Sequence, residues 1–207
     1  MGKVAQADAS ISDARFYVTL HSPPSHYFVQ FDVAAPSAAF AARDADGDTT
    51  GDTVFNLGSG QEGFFFRTPW TPTAGYWTRG TPNGPFTGFT PDIWHTILME
   101  YNAGTVSWLL DGSTFDSPYS NTITGSSVIA QFGATGSPHI SDQVYYIDNV
   151  KIGTTAGGTD IFADGFESGD MSAWETVIGN VTVVDDPGYP HAGGGGASGL
   201  HATVHVQ

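Results

Sequence analysis

The chain has no cysteine, so neither a disulfide framework nor a thiolate metal site is available to it. Basic residues are nearly as scarce: six Lys and Arg stand against 21 Asp and Glu, a formal net charge of −15. Nucleic acid and anionic lipid both need clustered positive charge, so no nucleic-acid partner is expected. No apolar run approaches the roughly 18 residues of a spanning helix, so no membrane insertion is expected either. The opening Met1-Gly-Lys-Val-Ala-Gln6 lacks the apolar stretch of a signal peptide. Glutamate is rare as well. Glu62, Glu100, Glu167 and Glu175 are the four in the chain, and none has a second acid two residues away. A glycosidase needs two carboxylates about 5–9.5 Å apart across a cleft, and no nucleophile-elbow motif suggests acyl transfer. The expectation is that the chain is not an enzyme.

What is present is a globular composition, 40% apolar and 13% aromatic, punctuated by 27 Gly and 12 Pro. No segment keeps a 3.6-residue period over three turns. Period-2 segments recur instead. Phe16, Val18 and Leu20 alternate with Tyr17, Thr19 and His21; Tyr27, Val29, Phe31 and Val33 alternate with Phe28, Gln30 and Asp32. Ile97, Met99 and Tyr101 form a third such set, and Val106, Trp108 and Leu110 a fourth. Further strands are expected near 53–57, 63–68, 76–80, 127–133, 144–152, 177–184 and 199–206. Many short strands between Gly/Pro turns predict an all-β antiparallel sandwich. Residues 154–160 are Gly/Thr-rich and read as a linker.

Pro91-Asp-Ile-Trp94-His95 opens one strand, Asn102-Ala-Gly104 makes a turn, and Asp111-Gly112 ends the next strand. This stretch resembles the laminin-G-like and concanavalin A-like jelly rolls of secreted bacterial proteins. A second match joins Phe166-Glu167-Ser-Gly-Asp170 and Trp174 with Tyr146-Ile-Asp148-Asn-Val150. These segments resemble the first and last strands of such domains, which are sheet neighbours there, and whose Glu and Asp often hold a structural calcium ion. The resemblance implies an extracellular or cell-surface location. Residues 1–153 then form the jelly-roll body, and 161–207 supply displaced opening strands. The order departs from the family, because the start follows the end. The chain is then a circular permutant, a slice of a tandem array whose tail completes an adjacent repeat, or a chain whose tail enters a neighbouring copy. The leading expectation is the last, a non-catalytic structural module that self-associates by strand complementation. The alternative is a calcium-dependent carbohydrate-binding module with a polysaccharide partner.

Three sets of residues are candidates for binding. Asp148 shares a period-2 set with Val144, Tyr146, Val150 and Ile152, and a carboxylate on an apolar face needs donors or a cation. Glu167 is its expected neighbour, and Ca²⁺ satisfies both. Asp44, Asp46, Asp48 and Asp52 space carboxylates by two and four along one segment, which suits either Ca²⁺ or a solvated acidic turn. Trp70, Tyr76 and Trp77 lie in a Gly/Pro/Thr-rich stretch, where aromatic faces either stack on sugar rings or plug the end of the sandwich.

Overall fold

The structure is a computed structural model. It describes residues 2–8, 14–37, 52–58, 61–66, 74–78, 82–87, 89–114, 118–134, 144–154, 158–179, 181–192 and 203–204. Along them run β1 (Lys3–Asp8), β2 (Ala14–His21), β3 (His26–Ala34), β4 (Asp52–Leu57), β5 (Glu62–Phe66), β6 (Ala74–Thr78), β7 (Pro82–Thr87), β8 (His95–Asn102), β9 (Thr105–Leu110), β10 (Ser113–Thr114), β11 (Tyr119–Ser120) and β12 (Ser127–Ala134). They are followed by β13 (Val144–Gly153), β14 (Asp160–Asp164), β15 (Thr176–Ile178), β16 (Thr182–Asp185) and β17 (Thr203–Val204). All paired strands are antiparallel and form two sheets. One runs β10-β9-β8-β3-β13-β1-β16-β17, with β11 beside β9 and β14 beside β13; the other runs β15-β2-β12-β4-β5-β6-β7. This is the all-β antiparallel sandwich that the alternation predicts, and the jelly roll that the resemblance implies.

The alternating residues explain how the sheets close. Val29, Phe31 and Val33 of β3, Ile97 and Met99 of β8, and Val106 and Trp108 of β9 are fully buried in one cluster with Phe16, Phe55, Phe64 and Phe132 from the second sheet. The ring of Phe132 meets Phe31 edge-on at 5.3 Å and Phe55 at 5.0 Å. Each such ring contributes on the order of 2–3 kcal/mol through the apolar area it removes from water.

The C-terminal segment docks on its own chain. β14 pairs with β13, β15 with β2, and β16 with β1. Trp174 packs against Phe16 at 4.4 Å and Phe162 at 4.7 Å, and stacks on Phe166 at 5.9 Å. Further on, Trp94 N–H donates to Pro190 O at 2.8 Å, and Ala192 N–H donates back to Trp94 O at 2.9 Å. Within this chain, then, the edges that β14, β15 and β16 meet are its own: β14 lies beside β13, β15 forms the outer edge beside β2, and β16 sits between β1 and β17.

Two sequence expectations fail for local reasons. The single strand expected over 177–184 is split at Gly179, which has φ +77°, and its halves β15 and β16 enter different sheets. The expected phase of β13 is also broken. Its register against β3 shifts between Asp148 and Lys151, and Asn149 takes φ +48°. Asn tolerates this left-handed conformation better than most residues. The bulge returns Val150 and Ile152 to the core alongside Ile147. Asp148 is left opposite Asp32, on the other face of the sheet.

Candidate functional site

The face of the β3-containing sheet that points away from the core carries the polar half of the alternation. Register places Asp32 of β3 between Asp148 and Thr96, Gln30 between Lys151 and Leu98, and Phe28 between Gly153 and Glu100. Beside this face, β14 leads into the turn 165–173. Asp164 builds the turn: its carboxylate accepts from Phe166 N–H at 2.8 Å and from Trp174 Nε1–H at 2.7 Å. Burial, the largest influence, holds the Asp164 pKa above the usual carboxylate range despite these two donors. Gly169 N–H closes the turn on Phe166 O at 2.9 Å, and Asp170 accepts from Ser172 N–H at 3.0 Å. The motif Phe166-Glu167-Ser168-Gly169-Asp170 thus folds into a compact lid edge pinned to the core by Phe166 and Trp174.

Between this turn and the sheet lies a cavity of ≈ 710 Å³. Gln30, Asp32, Thr96, Asn149, Lys151, Asp164, Glu167 and Ser172 supply its polar lining. Asp32 is fixed on both oxygens, accepting from Thr96 Oγ1–H at 2.6 Å and from Asn149 Nδ2–H at 2.8 Å. Asp148 lies beneath, 0% exposed, and accepts from Asn149 N–H at 2.6 Å. Desolvation pushes its pKa up to about 9, with Asp32, Glu167 and Asp186 adding repulsion and the Asn149 N–H bond opposing them. Without a cation, Asp148 is protonated at neutral pH. Gly165 brings the turn against this pair: a Cβ built there would stand in ordinary contact, 3.7 Å from Asn149 Oδ1 and 4.0 Å from Asp148 Oδ1.

The sequence-selected residues separate. Asp148 and the exposed Glu167 come together, close enough for Glu167 to raise the Asp148 pKa. Asp52 opens β4 in the other sheet, opposite Phe66, while Asp44, Asp46 and Asp48 lie outside the described residues, as does Trp70. Tyr76 and Trp77 stand on β6, opposite Phe65 and Phe64, on a strand rather than in a loop. Among the described residues no group of three or more His, Asp or Glu is gathered to hold a metal ion. Sequence reasoning missed Asp32, Asn149 and Asp164. Asp32 was legible as the last polar position of β3, and Asp148-Asn149 as a dipeptide able to bulge.

Two other polar clusters are structural. His95, 1% exposed, accepts from Thr90 N–H at Nε2, 3.0 Å, and pairs through Nδ1 with Asp111 Oδ2 at 2.8 Å. This ties the Trp94-His95 start of one strand to the Asp111 end of the next. Glu62, also 1% exposed, accepts from Tyr119 O–H at 2.6 Å and from Asn121 Nδ2–H, while Trp108 Nε1–H donates to Tyr119 Oη at 3.1 Å.

No family model and no curated protein matches the chain. Solved structures do. Alginate lyase AlyC3 in complex with dimannuronate aligns with a TM-score of 0.51 at 7% identity, over 72% of this chain and 73% of that one. The catalytic domain of a glycoside hydrolase family 131 protein from Coprinopsis cinerea aligns at 0.47 and 16% identity, over 70% and 72%. Alginate lyase AlgAT5 of polysaccharide lyase family 7 aligns at 0.46 and 10%, over 67% of this chain and 62% of its own length. The chain thus spans less than two thirds of that lyase. At these identities the likeness is one of fold. It nevertheless corrects the expectation of a non-catalytic structural module and of no enzyme: alginate lyase AlyC3 carries catalysis on this fold, so a shortage of Glu is no ground for excluding it.

Proposed function

We propose that the chain is a carbohydrate-recognising jelly roll that holds a polysaccharide in the cavity between the β3 sheet face and the turn 165–173. The observation that carries this is the cavity itself: ≈ 710 Å³, bordered by amide, hydroxyl and carboxylate groups fixed on rigid strands. Fixed polar groups of this kind match the hydroxyls of a sugar. The aligned alginate lyase, solved with dimannuronate, supports the same class. Depletion of the protein from solution by insoluble polysaccharides tests it. Binding that weakens about tenfold in a Gln30→Ala, Glu167→Ala double variant is expected from the loss of two sugar contacts, each of about 0.5–1.5 kcal/mol. Retention on no polysaccharide would end the proposal.

Cleavage in the same cavity is the second reading, favoured by Asp32, Asp164 and Glu167 lining one space. Asp148 is too deeply buried to protonate a substrate. Release of reducing ends from β-glucans, or of unsaturated sugars from alginate, measures this directly.

A structural Ca²⁺ at Asp148 belongs to the proposal. The residues that would hold it are oxygen donors suited to a hard cation: the buried Asp148 carboxylate, the nearby Glu167 and Asn149 Oδ1. Bound there, the ion would supply the charge that burial and three neighbouring carboxyl groups deny to Asp148. Calcium affinity in the range of extracellular modules, roughly 10⁻⁴–10⁻³ M, fits an extracellular or cell-surface location.

A further inference from the structure

The proposed polysaccharide site is fringed by one sign of charge. Asp32, Asp164 and Glu167 border the cavity. Lys151 is the one Lys or Arg in its lining among the described residues, and its ammonium is paired with Asp160 Oδ1 at 3.2 Å. The same sheet carries a second cavity of ≈ 300 Å³, lined by His26, Phe28, Glu100, Asn102 and Ser107 among others. Register connects the two cavities. Asp32, Gln30 and Phe28 succeed one another on one side of β3, opposite Thr96, Leu98 and Glu100 of β8, and the span from Asp32 to Phe28 is about 14 Å at ~3.4 Å per residue. Gly153 leaves room for the Phe28 ring at the far end, where a Cβ would stand 2.7 Å from it. The track between the cavities therefore carries amides, hydroxyls, one aromatic edge and carboxylates, on a chain of net charge −15.

We propose that the ligand is an uncharged polysaccharide lying along β3 from one cavity to the other, and that uronate polymers are rejected. This rests on the carbohydrate reading above. A uronate polymer brings a carboxylate on every residue to within a Debye length, ~8 Å at physiological salt, of three or four carboxyl groups. Among the described residues, and with calcium removed, no unpaired cation in the cavity lining offsets them, and buried or half-buried groups are screened less than exposed ones. An uncharged chain meets only hydrogen-bonding groups and suffers no such repulsion. Electrostatic complementarity thus discriminates by what it excludes.

The test is affinity electrophoresis of the full chain against soluble β-glucan, mannan, xylan and alginate, at low and high salt, with calcium and with chelator. The expected result is retardation by at least one uncharged polymer, insensitive to salt, with alginate about tenfold weaker at low salt. The exposed Glu167 lets the charge be tested apart from the sugar contact: in chelator, Glu167→Lys should bind alginate more tightly than Glu167→Ala, which has lost the same contact, at low salt and lose the gain at high salt. Preference for alginate in chelator at low salt would overturn the inference while leaving the carbohydrate reading intact. So would alginate binding that appears only with calcium, or a Glu167→Lys variant that binds alginate no more tightly than Glu167→Ala. Retardation by none of the four polymers would remove the carbohydrate reading and the inference with it.

Discussion

Glu62 and Asp148 are both buried carboxyl groups, 1% and 0% exposed, and the chain surrounds them in opposite ways. Glu62 is met by donors: the Tyr119 hydroxyl, itself held by Trp108, and the Asn121 amide. Asp148 accepts a backbone N–H but faces Asp32, Glu167 and Asp186. The first environment solvates a negative charge with fixed dipoles. The second opposes the charge and is comfortable only with a proton or a cation. A buried carboxylate in a donor cage is part of the scaffold; one among other carboxylates is where the proposed cation would bind.

Removing each group tests this contrast most sharply. Glu62→Ala leaves the Tyr119 and Asn121 donors buried without their acceptor, and should cost about 3 kcal/mol. For a chain of this size that is a drop of roughly 6–12 °C in Tm. Asp148→Asn in chelator should instead raise stability at neutral pH, because Asn is neutral in both states whereas Asp148, ionised in the unfolded chain, must take up a proton on folding. Equal costs for the two substitutions would collapse the distinction.

Calcium gives the next effect. At about a hundred times Kd, a ligand that binds only the folded chain adds ~2.7 kcal/mol. Thermal unfolding of the parent chain should shift up by roughly 5–10 °C on calcium addition. The Asp148→Asn chain should not respond. A shift of the same size in both proteins would place the ion elsewhere.

The pH dependence in chelator follows from the direction of the Asp148 shift. Its folded pKa, about 9, lies above the unfolded value of 3.8. Between these values the folded chain holds a proton that the unfolded chain has released. Stability from this group is therefore fully present below pH ~4 and is lost as pH rises towards 9, by up to ~1.4 kcal/mol per pH unit. Most surface carboxylates act in the reverse sense. Chemical denaturation from pH 5 to 9 should show a decline that Asp148→Asn removes and calcium flattens. A parent chain whose stability rises across that window, with or without calcium, would contradict the assignment.

How much of this was legible in the sequence depends on the length of the pattern. The strands around Phe31, Met99, Trp108 and Phe132 were readable because alternation persists over several residues and one face is apolar. β1 was not: Lys3-Val-Ala-Gln-Ala-Asp8 has little β-propensity of its own and is held between β13 and β16 by pairing. The division at Gly179 was hidden because Val177 and Val181 to Val184 read as one run. Asp148 was found, with Glu167, but through the wrong face. A single left-handed Asn at 149 reverses the phase, and period-2 reasoning has no means of detecting one extra residue. Asp32 was overlooked because a polar residue on the polar side of a strand is unremarkable until another carboxylate is placed opposite it.

That pairing yields the smallest and most specific effect. Asp32 and Asp148 are direct register partners across β3 and β13. Asp32→Asn keeps the size of the side chain and an oxygen for the Thr96 hydroxyl, but removes a charge whose repulsion ranks behind burial in raising the Asp148 pKa. The variant should therefore lower the Asp148 midpoint, and by less than relief of burial would. Because the shift is downward, the loss of stability with rising pH should end earlier, making the drop from pH 5 to pH 9 smaller in the chelated variant than in the parent chain. A ¹³C-carboxyl NMR titration of Asp148 reads the midpoint directly. An unmoved midpoint would mean that burial alone isolates Asp148, and that the carboxylate facing it across the sheet does not distinguish this site from the donor cage around Glu62.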